Sequence, residues 1–307
     1  MGKIAFVFSG QGAQYSGMGR ELAEQSTAAA AVFALADQIR SDTSKQCFFG
    51  SKEELTETRN TQPCLFCVDL AAALALEEAG VRADGAAGFS LGEMAALTFG
   101  GMLEQSTGFS LVCRRAILMD EAAKQSDSAM AAVLKLNHET VESLCGRFKQ
   151  LYPVNYNCPG QLVVAGLRSE IEALKPMVKE AGGRMVPLAV SGGFHSPFMS
   201  GAAEAFAKVL DGTSFFLPGR MPVYANLTAK PYEAGKEKSL LAKQMENPVR
   251  WEQTLRNMAV DGFDIFIEVG PGKTLSGLVA KTLPEAKIYH VEDAETLKTT
   301  AKAVLEQ

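Results

Sequence analysis

The segment Gly88-Phe89-Ser90-Leu91-Gly92 matches the G-x-S-x-G pattern of a nucleophile elbow, a sharp turn that exposes a reactive serine. Ser90 stands between a short strand pattern and an apolar helical pattern, where glycines permit such a turn. The start of the helix would also direct free N–H groups, including that of Leu91, at an oxyanion. The pattern favours a catalytic Ser90, and the alternative is a glycine-rich turn with a solvent-exposed serine.

A nucleophilic serine needs a base, and the chain has three histidines. His138 stands at the start of a predicted helix, and His290 lies in a C-terminal strand pattern. His195 lies in the loop Ser191–Pro197, where we expect the chain to return from one domain to another. Loops at such junctions line clefts. His195 is therefore the candidate base, and the alternative is a structural histidine.

The predicted helix Ser106–Gln125 carries a charged residue on its apolar side. At 100° per residue, Arg115 falls near the centre of a stripe of apolar side chains, whereas Arg114 falls toward the edge of that stripe. A guanidinium that faces the core needs an anionic partner. Two interpretations stay open: a structural arginine, ion-paired or reaching solvent with its end, or bidentate capture of a substrate carboxylate near Ser90.

Two glycine-containing loops match phosphate-binding patterns only in part. After Gly10-Gln11-Gly12, Tyr15 occupies the third glycine position of the dinucleotide-binding pattern. Gly272-Lys273-Thr274 resembles the end of a P-loop, but Ile267 stands where the first glycine is required. The backbone N–H of Gln11 is instead a candidate second donor to an oxyanion.

Strand patterns that alternate with helical patterns predict an α/β fold with a parallel sheet. The strands are expected over Ile4–Phe8, Ala86–Phe89 and Asp264–Val269, and the helices over Met18–Arg40, Pro63–Ala79, Glu93–Thr98, Ser106–Gln125 and Lys273–Thr282.

The stretch between Ala129 and Val190 follows a different order. Its elements are a strand over Met130–Leu136, a helix through about Lys149 with Asn137 as its N-cap, strands over Tyr152–Tyr156 and Leu162–Gly166, a helix over Ser169–Ala181 and a strand over Met185–Val190. This β-α-β-β-α-β order is that of the ferredoxin-like unit. We expect a small domain of residues 128–190, inserted into a discontinuous larger domain of residues 1–127 and 191–307, with a cleft between them.

Composition narrows the class of protein. A net charge of −5 argues against a nucleic-acid partner, and 47% apolar with 21% charged residues is typical of globular proteins. Apolar stretches fall short of the ~20 residues of a membrane helix, and Met1–Phe8 is interpreted as a strand rather than a signal peptide. Six cysteines are too few for a disulfide framework, so we expect a cytoplasmic protein, with Cys64 and Cys67 packing in the core.

Taken together, these residues resemble the malonyl-CoA:acyl-carrier-protein transacylase family of bacterial fatty-acid synthesis along nearly the whole chain. The matching stretches are Phe8–Gln14, Thr61–Pro63, Gly88–Glu93, Arg115, Asn155–Gln161, His195, Asn247–Trp251 and Glu268–Gly272. The resemblance implies an α/β-hydrolase-like core with an inserted ferredoxin-like subdomain, in agreement with the order of elements above.

The resemblance also implies roles for individual residues. Ser90 would attack the malonyl thioester, with His195 as base and then acid, and the N–H groups of Gln11 and Leu91 would hold the oxyanion. Arg115 would bind the free malonyl carboxylate. The family orients its histidine with a backbone carbonyl, which here is that of Gln244. Gln62 and Phe194 would lie at the pocket.

The implied reaction is ping-pong transfer of malonyl from malonyl-CoA, through a malonyl-serine ester, to the phosphopantetheine thiol of acyl carrier protein. It implies no cofactor and no metal, and the family resemblance favours a monomer. The family usually has histidine before the nucleophile, whereas this chain has Phe89. In related polyketide acyltransferases, phenylalanine before the catalytic histidine and an aliphatic residue after the serine accompany malonyl, so by resemblance Phe194 and Leu91 favour malonyl over methylmalonyl. Alternatives are a trans-acting polyketide-synthase acyltransferase, a serine ester or thioester hydrolase, a P-loop nucleotide-binding protein and a non-catalytic partner protein.

Overall fold

The structure is a computed structural model that describes residues 2–306. Two sheets organise it. The strands are β1 (Lys3–Phe8), β2 (Gly85–Gly88), β3 (Ser128–Leu134), β4 (Leu151–Cys158), β5 (Gln161–Leu167), β6 (Arg184–Pro187), β7 (Val223–Tyr224), β8 (Phe263–Val269) and β9 (Lys287–Val291). The α-helices are α1 (Arg20–Gln25), α2 (Thr27–Ile39), α3 (Thr43–Phe49), α4 (Lys52–Thr56), α5 (Thr58–Glu78), α6 (Gly92–Phe99), α7 (Gln105–Ala123), α8 (His138–Cys145), α9 (Arg168–Glu180), α10 (Ser200–Asp211), α11 (Glu237–Gln244), α12 (Trp251–Val260), α13 (Thr274–Thr282) and α14 (Ala294–Leu305).

The larger sheet is parallel and has five strands in the order β7-β2-β1-β8-β9. Its central strand β1 is an apolar run in which every residue after Lys3 is buried, as expected for a strand with both faces covered. The register pairs Phe8 with Gly88 of β2 and with Val269 of β8, so these three strands end at the same level. Their following loops therefore meet along one edge of the sheet.

The smaller sheet is antiparallel and has four strands in the order β4-β5-β3-β6. Helices α8 and α9 connect its strands in the order β-α-β-β-α-β, and both pack against it. The predicted fold class, a parallel α/β core with a ferredoxin-like unit, is confirmed. An isolated bridge from Asn155 of β4 to Val249 links the small sheet to the part of the chain that leads into α12.

Several predicted element boundaries were wrong. The single helix expected over Met18–Arg40 is two helices, because Ser26 is extended between them and its side chain accepts the N–H of Ala29 at 3.0 Å as an N-cap. The helix expected to begin at Pro63 begins at Thr58, so this proline lies inside α5. The helix expected to reach about Lys149 ends at Cys145, with Gly146 as its C-cap.

Cys64 and Cys67 are buried free thiols within α5. Across residues 2–306, no helix combines the length and the apolar character that crossing a membrane would require.

Candidate active site

The loops that follow four neighbouring parallel strands bring polar groups to one edge of the large sheet. Asn226 follows β7, Ser90 follows β2, Gln11 follows β1 and Gly270 follows β8. In open α/β sheets, ligands bind at the carboxyl ends of the strands. This edge is therefore the expected location of an active site.

Ser90 occupies a strained turn between β2 and α6. Its φ of 53° lies in the left-handed region, which is uncommon for a residue other than glycine. Gly92 is required beside it, because a Cβ there would lie 2.3 Å from the carbonyl oxygen of Phe8. The backbone N–H of Ser90 donates to Oδ1 of Asn226 at 2.8 Å, which fixes the turn from the neighbouring strand. The structure thus holds the half-buried Ser90 in the geometry of a nucleophile elbow.

His195 lies directly against this serine. Its Nε2 is 2.6 Å from Oγ of Ser90, and its Nδ1 is 2.8 Å from the backbone oxygen of Gln244. A carbonyl oxygen can only accept, so Nδ1 carries the proton and Nε2 is left as the acceptor for the serine hydroxyl. Gln244 is the last residue of α11, where carbonyl groups lack a partner within the helix. The helix end therefore supplies the group that orients the His195 ring.

His195 is held neutral by its surroundings. Burial lowers its pKa to about 4, with a further lowering by the charge of Arg115, against which the bond to Gln244 acts. A neutral imidazole at physiological pH can take a proton from Ser90.

The loop after β1 approaches the elbow closely. A Cβ on Gly10 would lie 2.8 Å from the carbonyl oxygen of Phe89, so only glycine fits there. Gln11 follows in this loop, and its side chain lies 3.3 Å from Oγ1 of Thr58. Leu91 is the N-cap of α6. The N–H groups of the first three helical residues donate to the carbonyl groups of Phe89, Ser90 and Leu91, whereas the N–H of Leu91 itself donates to no group among residues 2–306. The two predicted oxyanion donors thus belong to adjoining turns.

Arg115 is fully buried in α7, whereas its neighbour Arg114 is exposed, as the helical pattern predicts. Its guanidinium donates to the side-chain oxygens of Gln62 at 2.7 Å and Gln244 at 2.9 Å. Nε has no hydrogen-bond partner, and no carboxylate among residues 2–306 lies within ion-pair distance. Burial lowers the pKa of Arg115 to about 10, so it remains a cation at neutral pH. A buried cation held only by neutral amides has the chemistry of an anion site.

The two residues expected at the pocket take different positions. Gln62 is buried on α5 and contacts Arg115 directly, while its own amide nitrogen lies 3.4 Å from the sulfur of Met119. Phe194 is buried in the main apolar core, next to His195 in the chain.

Sequence reasoning did not single out a buried polar network behind the elbow. Glu93, in the first turn of α6, accepts hydrogen bonds from the hydroxyl of Tyr232, from the side chain of Gln244 at 2.9 Å and from the backbone N–H of Asn226 at 3.3 Å. Burial raises the pKa of Glu93 to about 7. The available signal was a carboxylate inside the otherwise apolar helix Glu93–Thr98.

A cavity of about 240 Å³ lies between the two sheets, beside Gln11 and Phe89. On the side of the small sheet it is lined by Asn155, Asn157 and Gln161. The side-chain oxygens of both asparagines are buried, and neither has a hydrogen-bond partner in the described part of the chain. The wall of the cavity thus contains two side-chain oxygens that lack a hydrogen-bond donor.

The loop Gly270–Lys273 does not have the properties of a phosphate site. The carboxylate of Glu268 accepts the N–H groups of Leu275 at 2.9 Å and Ser276 at 2.7 Å, at the start of α13. In a P-loop these N–H groups would face phosphate oxygens, so the carboxylate already fills that place.

A serine elbow on a parallel sheet, with a neutral histidine on its hydroxyl and a buried cation nearby, is the arrangement expected of an enzyme that forms an acyl-serine ester. The family model described as acyl transferase domain matches residues 5–303. The malonyl CoA-acyl carrier protein transacylase of Bacillus subtilis is 39% identical over 316 aligned positions, which cover 100% of this chain and 99% of that protein. The chain belongs to the malonyl CoA-acyl carrier protein transacylase family.

Solved structures agree with this assignment. The malonyl CoA-acyl carrier protein transacylase from Clostridium perfringens superposes with a TM-score of 0.95 at 33% identity, covering 99% of this chain and 98% of that one. A malonyl-transacylase solved in complex with its type II PKS acyl-carrier protein gives a TM-score of 0.94 at 33% identity, covering 98% of this chain and 99% of that one.

Proposed function

We propose that this chain transfers a malonyl group from malonyl-CoA to the phosphopantetheine thiol of acyl carrier protein in fatty-acid synthesis, as a cytoplasmic monomer. The observation that carries the proposal is the pairing of Ser90 and His195, 2.6 Å apart, with the buried Arg115 held by neutral amides. The first pair acts on a thioester carbonyl, and the second group matches the free carboxylate that distinguishes malonyl from acetyl.

In the first half-reaction, Oγ of Ser90 forms a bond to the thioester carbonyl carbon while Nε2 of His195 takes the hydroxyl proton. The backbone N–H groups of Gln11 and Leu91 hold the negative oxygen of the tetrahedral intermediate. The carbon–sulfur bond then breaks, and the imidazolium returns the proton to the CoA sulfur. A malonyl ester of Ser90 remains.

In the second half-reaction, the carrier thiol gives its proton to His195 and attacks the ester carbonyl. The oxygen of Ser90 leaves and regains the proton from the imidazolium. The carbonyl oxygen of Gln244 holds the ring at the end of α11, where the negative end of the helix dipole favours the transient positive charge. The proposal requires no cofactor besides the thiol groups of the two substrates.

The cavity beside Gln11 suits the pantetheine arm that CoA and the phosphopantetheine group of the carrier have in common. Its free asparagine oxygens, on Asn155 and Asn157, match the N–H groups of an arm that contains two amides. Phe89 and Leu188 supply apolar wall next to these acceptors, which suits the methylene groups between the amides.

A transfer assay tests the function. The protein is incubated with malonyl-CoA and then with holo acyl carrier protein, and the carrier is weighed by mass spectrometry. We expect malonyl-carrier with little free malonate. Free malonate without malonyl-carrier would show a hydrolase instead.

A further inference from the structure

Gln244 connects both halves of the site through one side chain. Its amide nitrogen donates to the backbone oxygen of Ser90 at 2.6 Å and to Glu93 at 2.9 Å, while its amide oxygen accepts from Arg115. Its backbone oxygen orients His195. The direction of this amide therefore decides which atom faces the guanidinium.

The orientation of the amide is fixed by its neighbours. An ionised carboxylate can only accept hydrogen bonds, so Glu93 requires the nitrogen end of Gln244. Arg115 can only donate, so it requires the oxygen end. If the amide turned over, its nitrogen would face the guanidinium and its oxygen would face three other acceptors, the backbone oxygen of Ser90, the carboxylate of Glu93 and Oδ1 of Asn226.

Tyr232 holds Glu93 in place from the opposite side. Its hydroxyl donates to one carboxylate oxygen, and the Gln244 nitrogen and the backbone N–H of Asn226 donate to the other. Glu93 and Tyr232 are both buried, so solvent offers no alternative partner.

We propose that Glu93, held by Tyr232, is a positioning residue for the carboxylate of the acyl donor. It keeps the Gln244 amide turned with its oxygen on Arg115. The inference rests on the proposed function, in which Arg115 binds malonyl.

The arrangement explains why the buried anion and cation are separated. A direct ion pair would occupy the guanidinium and compete with the substrate. The amide of Gln244 lies between Glu93 and Arg115, so the negative charge of Glu93 acts on the guanidinium through the amide dipole. Nε of Arg115 has no hydrogen-bond partner. The acyl carboxylate can then bind Arg115, because the guanidinium is fixed in position but is not paired with a carboxylate of the protein.

The proposal implies a dependence on pH, because Glu93 titrates near neutrality. Burial raises its pKa to about 7, while the bonds from Tyr232 and Gln244 act to lower it. The charged and titratable groups that face this network are Tyr232, Glu237 of α11, Arg115 of α7 and His195. Above pH 7 the carboxylate is ionised and can only accept from Gln244. Below pH 7 a protonated Glu93 can also donate, so its contribution to the orientation of the amide is lost, while the bond to the backbone oxygen of Ser90 remains.

The test measures kcat and KM with malonyl-CoA, and with acetyl-CoA as the uncharged donor, from pH 6 to 9. The variants are Tyr232→Phe and Glu93→Gln, with Glu93→Asp as the variant that keeps the charge. Tyr224→Phe is the matched control, since it removes another buried tyrosine hydroxyl from a carboxylate, that of Asp261.

We expect the KM for malonyl-CoA to rise about tenfold at pH 7 in Tyr232→Phe, with acetyl transfer changed less than about twofold, since one hydrogen bond to a charged group is lost. Its malonyl profile should move to higher pH, because the removed bond held the Glu93 pKa down. Glu93→Gln should show a raised malonyl KM that no longer varies with pH, and Glu93→Asp should restore part of the variation. Tyr224→Phe should match the wild type.

If the wild-type protein transfers malonyl, two results for Tyr232→Phe would overturn the proposal. One is an equal change in KM for malonyl-CoA and acetyl-CoA, and the other is a pH profile for malonyl-CoA that does not move. Failure of the proposed function would appear differently, as absence of malonyl transfer by the wild-type protein, and would overturn the proposal as well. If Glu93→Gln does not fold, Tyr232→Phe gives the same decision.

Discussion

Arg115 donates a hydrogen bond of 2.9 Å to the side-chain oxygen of Gln244, whose backbone oxygen lies 2.8 Å from Nδ1 of His195. The group that would bind the acyl carboxylate and the group that would move the proton are thus attached to one residue at the end of α11. An acyl donor whose carboxylate binds Arg115 is therefore held in a fixed position relative to His195 and Ser90. Positioning of this kind lowers the barrier because the reacting groups are already aligned.

Removing the guanidinium should change donor selectivity more than general reactivity. We predict that Arg115→Ala lowers kcat/KM for malonyl-CoA about a hundredfold, because a charge-assisted pair in a buried site is lost. Acetyl transfer should fall less than about fivefold. The matched control is Arg114→Ala, on the exposed side of the same helix, which should leave both donors unchanged. Equal losses of kcat/KM for malonyl-CoA and acetyl-CoA would show that Arg115 does not bind the malonyl carboxylate.

The pH dependence of acylation by acetyl-CoA should report His195. Its pKa is lowered by burial to about 4, so kcat/KM should stay level as pH falls toward 5 and decline through pH 4. Circular dichroism at each pH separates this decline from unfolding. An acidic limb centred near pH 6.5, the ordinary value for histidine, would contradict the assignment.

The same burial affects stability. Between pH 6.5 and 4 the unfolded chain binds a proton at this histidine that the folded chain does not bind. The free energy of unfolding is therefore unaffected by this histidine above pH 6.5 and decreases as the pH falls toward 4. We expect His195→Gln to show a shallower decline of the free energy of unfolding across this range than the wild type.

The elbow should tolerate no side chain at Gly92. Since a Cβ there would lie 2.3 Å from the Phe8 carbonyl, Gly92→Ala should lower the free energy of unfolding by about 3 kcal/mol and abolish acylation. Gly201 is the matched control, because a Cβ on it meets nothing within 4 Å at the start of α10. Gly201→Ala should raise stability by about 0.5 kcal/mol, as measured by urea unfolding. Similar losses in both variants would contradict the steric account.

Much of this site could be predicted from the sequence because its signals are local. The G-x-S-x-G spacing marks Ser90, and the helical period places Arg115 on the apolar side of its helix. The partners of these residues come from distant segments. Asn226 follows the two-residue strand β7, which is too short to show a period, and Tyr232 meets Glu93 only through folding. The charge of Glu93 was visible, but its partners were not.

The boundaries show the same limit. Ser26 interrupts a continuous helical pattern because its side chain caps α2, and a pattern of apolar residues does not register that choice. Helices α10 and α14 were not predicted, although each has an apolar side that packs on the core.

Phe89 marks where this chain departs from the residue usual in the family. Its ring meets that of Trp251 edge-on at 5.5 Å, and the indole Nε1 is buried with no hydrogen-bond partner in residues 2–306. We predict that Phe89→His is more stable than Phe89→Leu by about 1 kcal/mol, because only histidine brings an acceptor beside that N–H. Chemical denaturation of both variants measures the difference, and a leucine variant of equal or greater stability would contradict it.

We propose that Ser90 carries a malonyl ester, that His195 is needed for the ester to form and that Arg115 binds the carboxylate of the ester. Intact-mass measurement after brief incubation with malonyl-CoA is the decisive experiment. We expect one malonyl adduct per wild-type chain, located on the peptide that contains Ser90, absent in Ser90→Ala and discharged by holo acyl carrier protein. An adduct that persists in Ser90→Ala, or a wild-type chain that turns over malonyl-CoA without ever acquiring one, would contradict it.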